Sequence, residues 1–240
     1  MSTFDNLFVL GRPAGGKSEF IYFLKSITDE ERAKKLHIGS FEEVDDFPWV
    51  WEVFMEDDRR AARGEERLHT EMTPDGHILK APKFREGLVE KFNRAIMQKC
   101  LDNPSFYEGT TLLIEFARGK TDGFKGSLEK FSGEILSRAA ILYIDVSFEE
   151  SVRRNNSRFK KDEAGSILSH KVADRDMYEY FIDNDWSSMT GGGPSGSIGL
   201  AGTEVPFVTM VNEPESTDPA ILEPRYGNAL NLLWELYRKK

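Results

Sequence analysis

Cysteine is almost missing from this sequence: Cys100 is the only one among 240 residues. No intrachain disulfide can form, which suits a reducing compartment. The context Met97-Gln98-Lys99-Cys100-Leu101, at the end of a helical pattern, marks a packed residue and not a reactive thiol. Positive charge is also in deficit. The 32 Lys and Arg are outnumbered by 41 Asp and Glu, a formal net charge of -9, which argues against a nucleic-acid partner. It does not exclude a phosphate site, for which a few local cations suffice. No window approaches the ~18 apolar residues of a membrane-crossing helix. The N-terminus shows no basic segment followed by an apolar stretch and a cleavage site. A cytoplasmic location without a membrane partner is the expectation. His37, His69, His77 and His170 show no ligand spacing, so no zinc-type centre is expected. No internal repeat is present.

What the chain does have is a core: hydrophobic residues make up 39%, with 17 Phe. Short apolar runs alternate with longer helical patterns, which favours a parallel sheet covered by helices on both faces. Strands are expected at Leu7–Leu10, Leu36–Phe41, Thr110–Phe116, Ala139–Val146 and Val205–Val211. Thr111–Ile114 and Ala140–Ile144 are apolar on both faces, as central parallel strands are. After a first helix from Lys17, helices are expected over Trp49–Ala62, Phe84–Cys100, Leu128–Arg138, Phe148–Arg158, Val172–Asp183 and Ala220–Arg238. The fold class is therefore α/β, a three-layer α/β/α sandwich around a five-stranded, mostly parallel sheet. Residues 191–202 hold six glycines, two serines and a proline, and 190–203 reads as a flexible loop.

One motif carries chemistry directly. Gly11-Arg12-Pro13-Ala14-Gly15-Gly16-Lys17-Ser18 matches G-x-x-x-x-G-K-[ST] in full, between an apolar strand and an amphipathic helix. Successive backbone N–H groups must wrap a phosphate chain, so the loop needs residues that tolerate unusual φ/ψ and close approach. The following helix adds its dipole. Lys17 can reach the β- and γ-phosphates, and the Ser18 hydroxyl can ligate Mg²⁺. Pro13 fixes φ where a donor can be spared. Gly11, Pro13, Ala14, Gly15, Gly16, Lys17, Ser18 and the neighbouring Glu19 are the nucleotide-binding candidates.

With Gly11-x-Pro13-x-x-Gly16-Lys17-Ser18, the segment Ala140–Arg158 and the run Pro206–Asn212, the chain resembles the P-loop nucleoside and nucleotide kinase family. The loop is similar to the G-x-P-G-x-G-K form of adenylate-kinase-like enzymes, with Ala14 where glycine is usual. The resemblance implies a single kinase-type domain over 1–240, an acceptor-binding insertion at 36–109 and a lid at 158–185. It implies ATP and Mg²⁺ as the nucleotide and its ion, with a small-molecule phosphate acceptor. Arg154 would then lie near the adenine or the lid hinge, Arg158 would reach the transferring phosphate, and Asn212 would stand beside the base. Chemistry agrees, since phosphoryl transfer needs cations around the γ-phosphate, and i, i+4 spacing puts both guanidinium groups on one helix face. Pairing of Arg153 and Arg154 with Glu149 and Glu150 on a solvated face is the rival reading.

Glu115, after three buried aliphatics, can hold Mg²⁺ through water or accept a proton. Arg118 follows it as a candidate catalytic cation. I-E-F-A-R differs from the family's D-G-F-P-R, so the role of Glu115 stays open between metal and base. Glu42, Glu43, Asp45 and Asp46 cluster at the end of the second strand, where ligands of open sheets bind. One of them could be the general base, or Asp45 and Asp46 could simply start the next helix. Pro48–Phe54 could stack a base or pack on the core. Arg59, Arg60, Arg63 and Arg67 could clamp an acceptor phosphate or lace a surface helix. His170, Lys171 and Arg175 fall in the expected lid. Exposed arginine and aromatic helices could serve a homodimer. The leading reading is a kinase that transfers the γ-phosphoryl group of ATP to a nucleoside, nucleotide or related metabolite; a regulatory P-loop ATPase is the alternative. No N-K-x-D signature supports a GTPase.

Overall fold

The computed structural model describes residues 2–81, 84–158 and 171–240. Six strands form one sheet in the order β2-β5-β1-β6-β8-β7. They are β1 (Asn6–Gly11), β2 (Ser40–Asp45), β5 (Thr110–Phe116), β6 (Ala139–Asp145), β7 (Ser195–Leu200) and β8 (Thr203–Val211), and β3 (Thr70–Thr73) and β4 (Gly76–Leu79) make a separate hairpin. The five strands from β2 to β8 run parallel, and β7 is antiparallel to β8. Alternation along the central strands builds two cores. Phe8, Leu10, Ile114, Phe116 and Tyr143 point to one face, while Leu7, Val9, Leu113, Leu142 and Ile144 point to the other. Helices α4 (Phe84–Asp102), α5 (Phe124–Leu128) and α6 (Gly133–Ser137) cover the first face. Helices α1 (Lys17–Lys25), α2 (Asp29–Leu36) and α10 (Pro219–Tyr237) cover the second. The three-layer sandwich is as expected.

The sheet has six strands and not five, because the glycine-rich segment is not a loop. Ile198 and Leu200 alternate into the core, and Ala201 (φ 45°) with Gly202 (φ 81°) closes a two-residue hairpin onto β8. Gly196 lies against the Phe207 ring, where a Cβ would sit at a tight 3.3 Å. The expected strand at Leu36–Phe41 is shifted. Thr28 caps α2 by accepting the Glu31 N–H, and Leu36 is that helix's last residue, followed by His37 in the left-handed region. The helix expected over Leu128–Arg138 is broken in two, because the Ser132 hydroxyl accepts the Ile135 N–H and starts a new helix. The one expected over Val172–Asp183 is the shorter α8 (Asp174–Glu179).

Between β2 and β5, α3 (Phe47–Ala62), the hairpin and α4 share a small core of Val50, Phe54, Leu79 and Leu88. The Asp57 carboxylate ties hairpin to helix, accepting the N–H groups of Leu68, His69 and Thr70 and the Thr70 hydroxyl. Burial opposes its charge, but these donors hold it down to about 2.

Candidate functional site

The loop after β1 lies where the chain reverses between the two halves of the sheet, at the carboxyl ends of the strands, the position at which open α/β sheets bind ligands. Gly15 N–H donates to the Arg12 carbonyl (3.1 Å), closing a turn that hands over to α1 at Gly16. Gly16 has φ 107°, and a Cβ there would lie 2.1 Å from Asn212 Nδ2. Only glycine fits. Ala14 adopts φ 53°, a left-handed conformation that costs a non-glycine residue about 1 kcal/mol.

The loop's carbonyls are tied from outside. The Ser151 hydroxyl donates to the Pro13 carbonyl (2.7 Å) and Asn212 Nδ2 to that of Gly15 (2.9 Å). Arg154 donates to the carbonyls of Asn212 (2.7 Å) and Gly15 (3.5 Å) and to Glu150. With these carbonyls bound outward, the loop N–H groups other than that of Gly15 are left for a ligand inside. Asn212 and Arg154 thus brace the loop, and neither lines the cavity over it. Arg154 is buried against the loop and pairs with Glu150, while Arg153 pairs with Glu150 and Glu215 on the surface.

That cavity measures about 680 Å³. Pro13 to Glu19 form its floor, with Asp45, Asp46 and Glu115 on the adjoining strand ends. Lys17 folds back on the loop, its Nζ donating to the Arg12 carbonyl (3.0 Å) and lying 3.9 Å from Glu115 Oε1. Arg158, the last residue of α7 (Phe148–Arg158), lines the cavity and pairs with Glu19. Gly11 serves packing: a Cβ would lie 2.5 Å from the Ile144 carbonyl oxygen.

The carboxylates divide by their partners. Asp45 and Glu115 are register partners on β2 and β5. Burial pushes Asp45 up to about 8, helped by Glu115 and Asp46, while the Phe47 N–H and Lys17 oppose the shift. Burial also raises Glu115, against the pull of Lys17. Asp46 is committed elsewhere, its Oδ2 accepting from Arg118 at 2.6 Å. Glu42 pairs with Lys99 and Glu43 with Lys25, both outside the cavity.

Arg118 is not a cation facing the phosphates. Its side chain is fully buried and does not line the cavity. It binds Asp46, Ser127 and the carbonyls of Ala117 and Arg85, and lies 3.6 Å from Asp122. Asp122 accepts the Tyr180 hydroxyl through Oδ1, while its buried Oδ2 has no hydrogen-bond partner among the described residues. Removing one member of such a network leaves a charge uncompensated. Arg118→Met is expected to cost about 3–5 kcal/mol of unfolding free energy, measured by urea denaturation; a loss under ~1 kcal/mol would show the network is dispensable.

The four arginines from Arg59 to Arg67 also go to structure. Arg59 pairs with Glu56, Arg60 and Arg63 with Glu65, and Arg67 with Asp58, and none lines the cavity. Arg175 pairs with Glu71 and Glu179, and Lys171 with Asp75 and Asp174. His170 and the rest of the expected lid's 159–170 segment lie outside the described residues. The cavity's far wall also holds Phe47, His77, Arg85, Asp176 and Phe181, which no motif in the sequence marks, while Phe54 of the aromatic run both lines it and packs in the small core. Arg12 grips that wall, donating to the carbonyls of Phe181 and Ile182.

No protein-family model matches the chain, and no curated protein sequence does. Solved structures do. Kti12 of Chaetomium thermophilum, in complex with ADP-AlF3, is 11% identical over 97% of this chain and 98% of that one, with TM-score 0.52. A gluconokinase from Sinorhizobium meliloti 1021 is 11% identical over 100% and 99% of the two chains, at 0.45. A chain of the Pnkp1/Rnl/Hen1 RNA repair complex is 17% identical over 70% of this chain at 0.34, and this chain spans only 42% of it. The likeness to Kti12 is one of fold, a mostly parallel sheet between layers of helices, and among the described residues no helix is long and apolar enough to cross a membrane.

Proposed function

We propose that this protein is a small-molecule kinase, transferring the γ-phosphoryl group of ATP to a hydroxyl of a nucleoside, nucleotide or related metabolite. One observation carries the reading. The phosphate loop and the Asp45 carboxylate open into the same cavity, and that cavity continues to a wall built by α3, the hairpin, α4 and α8. That second half gives an acceptor room beside the nucleotide.

In the proposed reaction the acceptor oxygen attacks the γ-phosphorus, the bond to the β–γ bridging oxygen breaks, and ADP leaves. Asp45 takes the acceptor's proton, a role suited to a carboxylate whose proton affinity is raised. Lys17 and Arg158 offset the charge spreading over the transferring group, and the loop N–H groups hold it in line. Ser18 and Glu115 present hard oxygen donors at the first turn of α1 and the end of β5. Mg²⁺ is an ion held largely by phosphates and water, so one or two such protein donors suffice for it. Bound to Ser18 and Glu115, Mg²⁺ would neutralise the β- and γ-oxygens. The test is ADP release at saturating Mg·ATP, with and without a panel of hydroxyl acceptors. At least one acceptor is expected to raise the rate about tenfold or more. Equal, slow release with every acceptor would favour a regulatory ATPase.

A further inference from the structure

Arg85, in the first turn of α4, is 8% exposed and lines the acceptor half of the cavity. Its guanidinium lies over two rings, 4.5 Å from the centroid of Tyr180 and 5.2 Å from that of Phe181. Stacking engages the face of a guanidinium and leaves its N–H edge free to bind in the plane. An arginine carries five such donors. Among the described residues only one side-chain hydrogen bond leaves this edge, to Asp176 Oδ2 at 3.3 Å. That is long for a charge-assisted bond, which runs about 2.7–2.9 Å. Burial raises the proton affinity of Asp176, against the pull of Arg85 itself. The cavity's other described cations are already placed at the nucleotide end, Lys17 on the loop carbonyls and Arg158 on Glu19.

A buried cation with most of its donors turned to a cavity is costly unless a ligand completes its shell. We infer that Arg85 anchors an anionic group of the acceptor, a phosphate monoester or a carboxylate, gripped by its N–H edge while the acceptor's carbon skeleton lies against Phe47, Val50 and Phe54. The inference rests on the kinase reading, since it assigns the acceptor half of that site. It makes Arg85 a specificity-determining residue: neutral analogues with the same hydroxyls would leave its donors unpaired and bind more weakly.

The test is calorimetric titration of protein saturated with Mg·AMP-PNP, so that the loop's own phosphate positions are filled. Ribose 5-phosphate is compared with ribose, and glucuronate with glucose. The anionic member of at least one pair is expected to bind about tenfold or more tighter than its neutral partner, and the responding pair identifies phosphate or carboxylate. Arg85→Met should reduce that preference below about threefold with AMP-PNP affinity unchanged, and Arg85→Lys, which keeps the charge without the fork, should retain part of it. Equal affinity within both wild-type pairs, no saturable binding by either anion, or an undiminished preference in Arg85→Met overturns the inference. The wild-type pairs decide the matter even if Arg85→Met does not fold. Failure of the kinase reading looks different: the anion binds through Arg85, yet receives no phosphate from Mg·ATP.

Discussion

Lys17→Ala is expected to lower phosphotransfer by about 10²–10³-fold, the usual effect of removing one preorganised charge-stabilising donor, while leaving the protein folded. The expectation follows from how Lys17 is held. Its Nζ rests on the loop carbonyls of Arg12 and Gly11, at 3.0 and 3.4 Å, contacts that a triphosphate would replace. Truncation removes a buried ammonium together with its desolvation cost, so little of the fold depends on it. Glu115 loses its nearest cation, at 3.9 Å, and its proton affinity should rise further. The readouts are turnover with saturating acceptor and near-UV circular dichroism. Wild-type-like turnover would remove the loop from the chemistry; loss of the dichroic signal would show that the lysine is structural.

Asp45→Asn should cost about 10²–10⁴-fold in turnover, the range associated with a general base, and its stability should move the other way. In the folded protein Asp45 is raised from 3.8 to about 8, so folding favours the protonated acid. The sign follows from linkage: the stability due to this proton is fully present below the unfolded value and is lost as pH rises through about 8. Asparagine cannot ionise, so the variant should be at least as stable as wild type above that pH, and much slower. Turnover of the wild type should increase with pH, its acid limb displaced upward from the ordinary carboxylate range. A variant that is both less stable at high pH and fully active would contradict the assignment of Asp45 as base.

The loop was legible because it is local: eight consecutive residues between an apolar run and a helix suffice to specify it. The sandwich was legible because strands buried on both faces, such as Ala140–Ile144, leave an unbroken apolar run. β7 was hidden by composition. Its strand character lies in the alternation of Ile198 and Leu200, and its Gly196 faces the Phe207 ring across the sheet. The shift of β2 turns on the Thr28 cap with Glu31 three residues on, a signal present in the sequence but outweighed by the apolar look of Leu36 and Ile38. Arg118 and Arg85 could not have been sorted by inspection. Both are single arginines near an acid, yet one is sealed beneath Asp46 and the other opens on the cavity. Partners distant in sequence decide which is which, Asp46 for Arg118 and Asp176 for Arg85, 72 and 91 residues away. Asp45 and Asp46 are separated in the same way, by the reach of Arg118.

The most direct measurement follows the γ-phosphorus itself, by ³¹P NMR of the purified protein with Mg·ATP and a mixture of hydroxyl acceptors that includes ribose 5-phosphate and glucuronate. The expected result is a new phosphate-ester resonance growing as ATP becomes ADP, absent with Lys17→Ala. Inorganic phosphate as the only product, formed at one rate with or without acceptors, would contradict it.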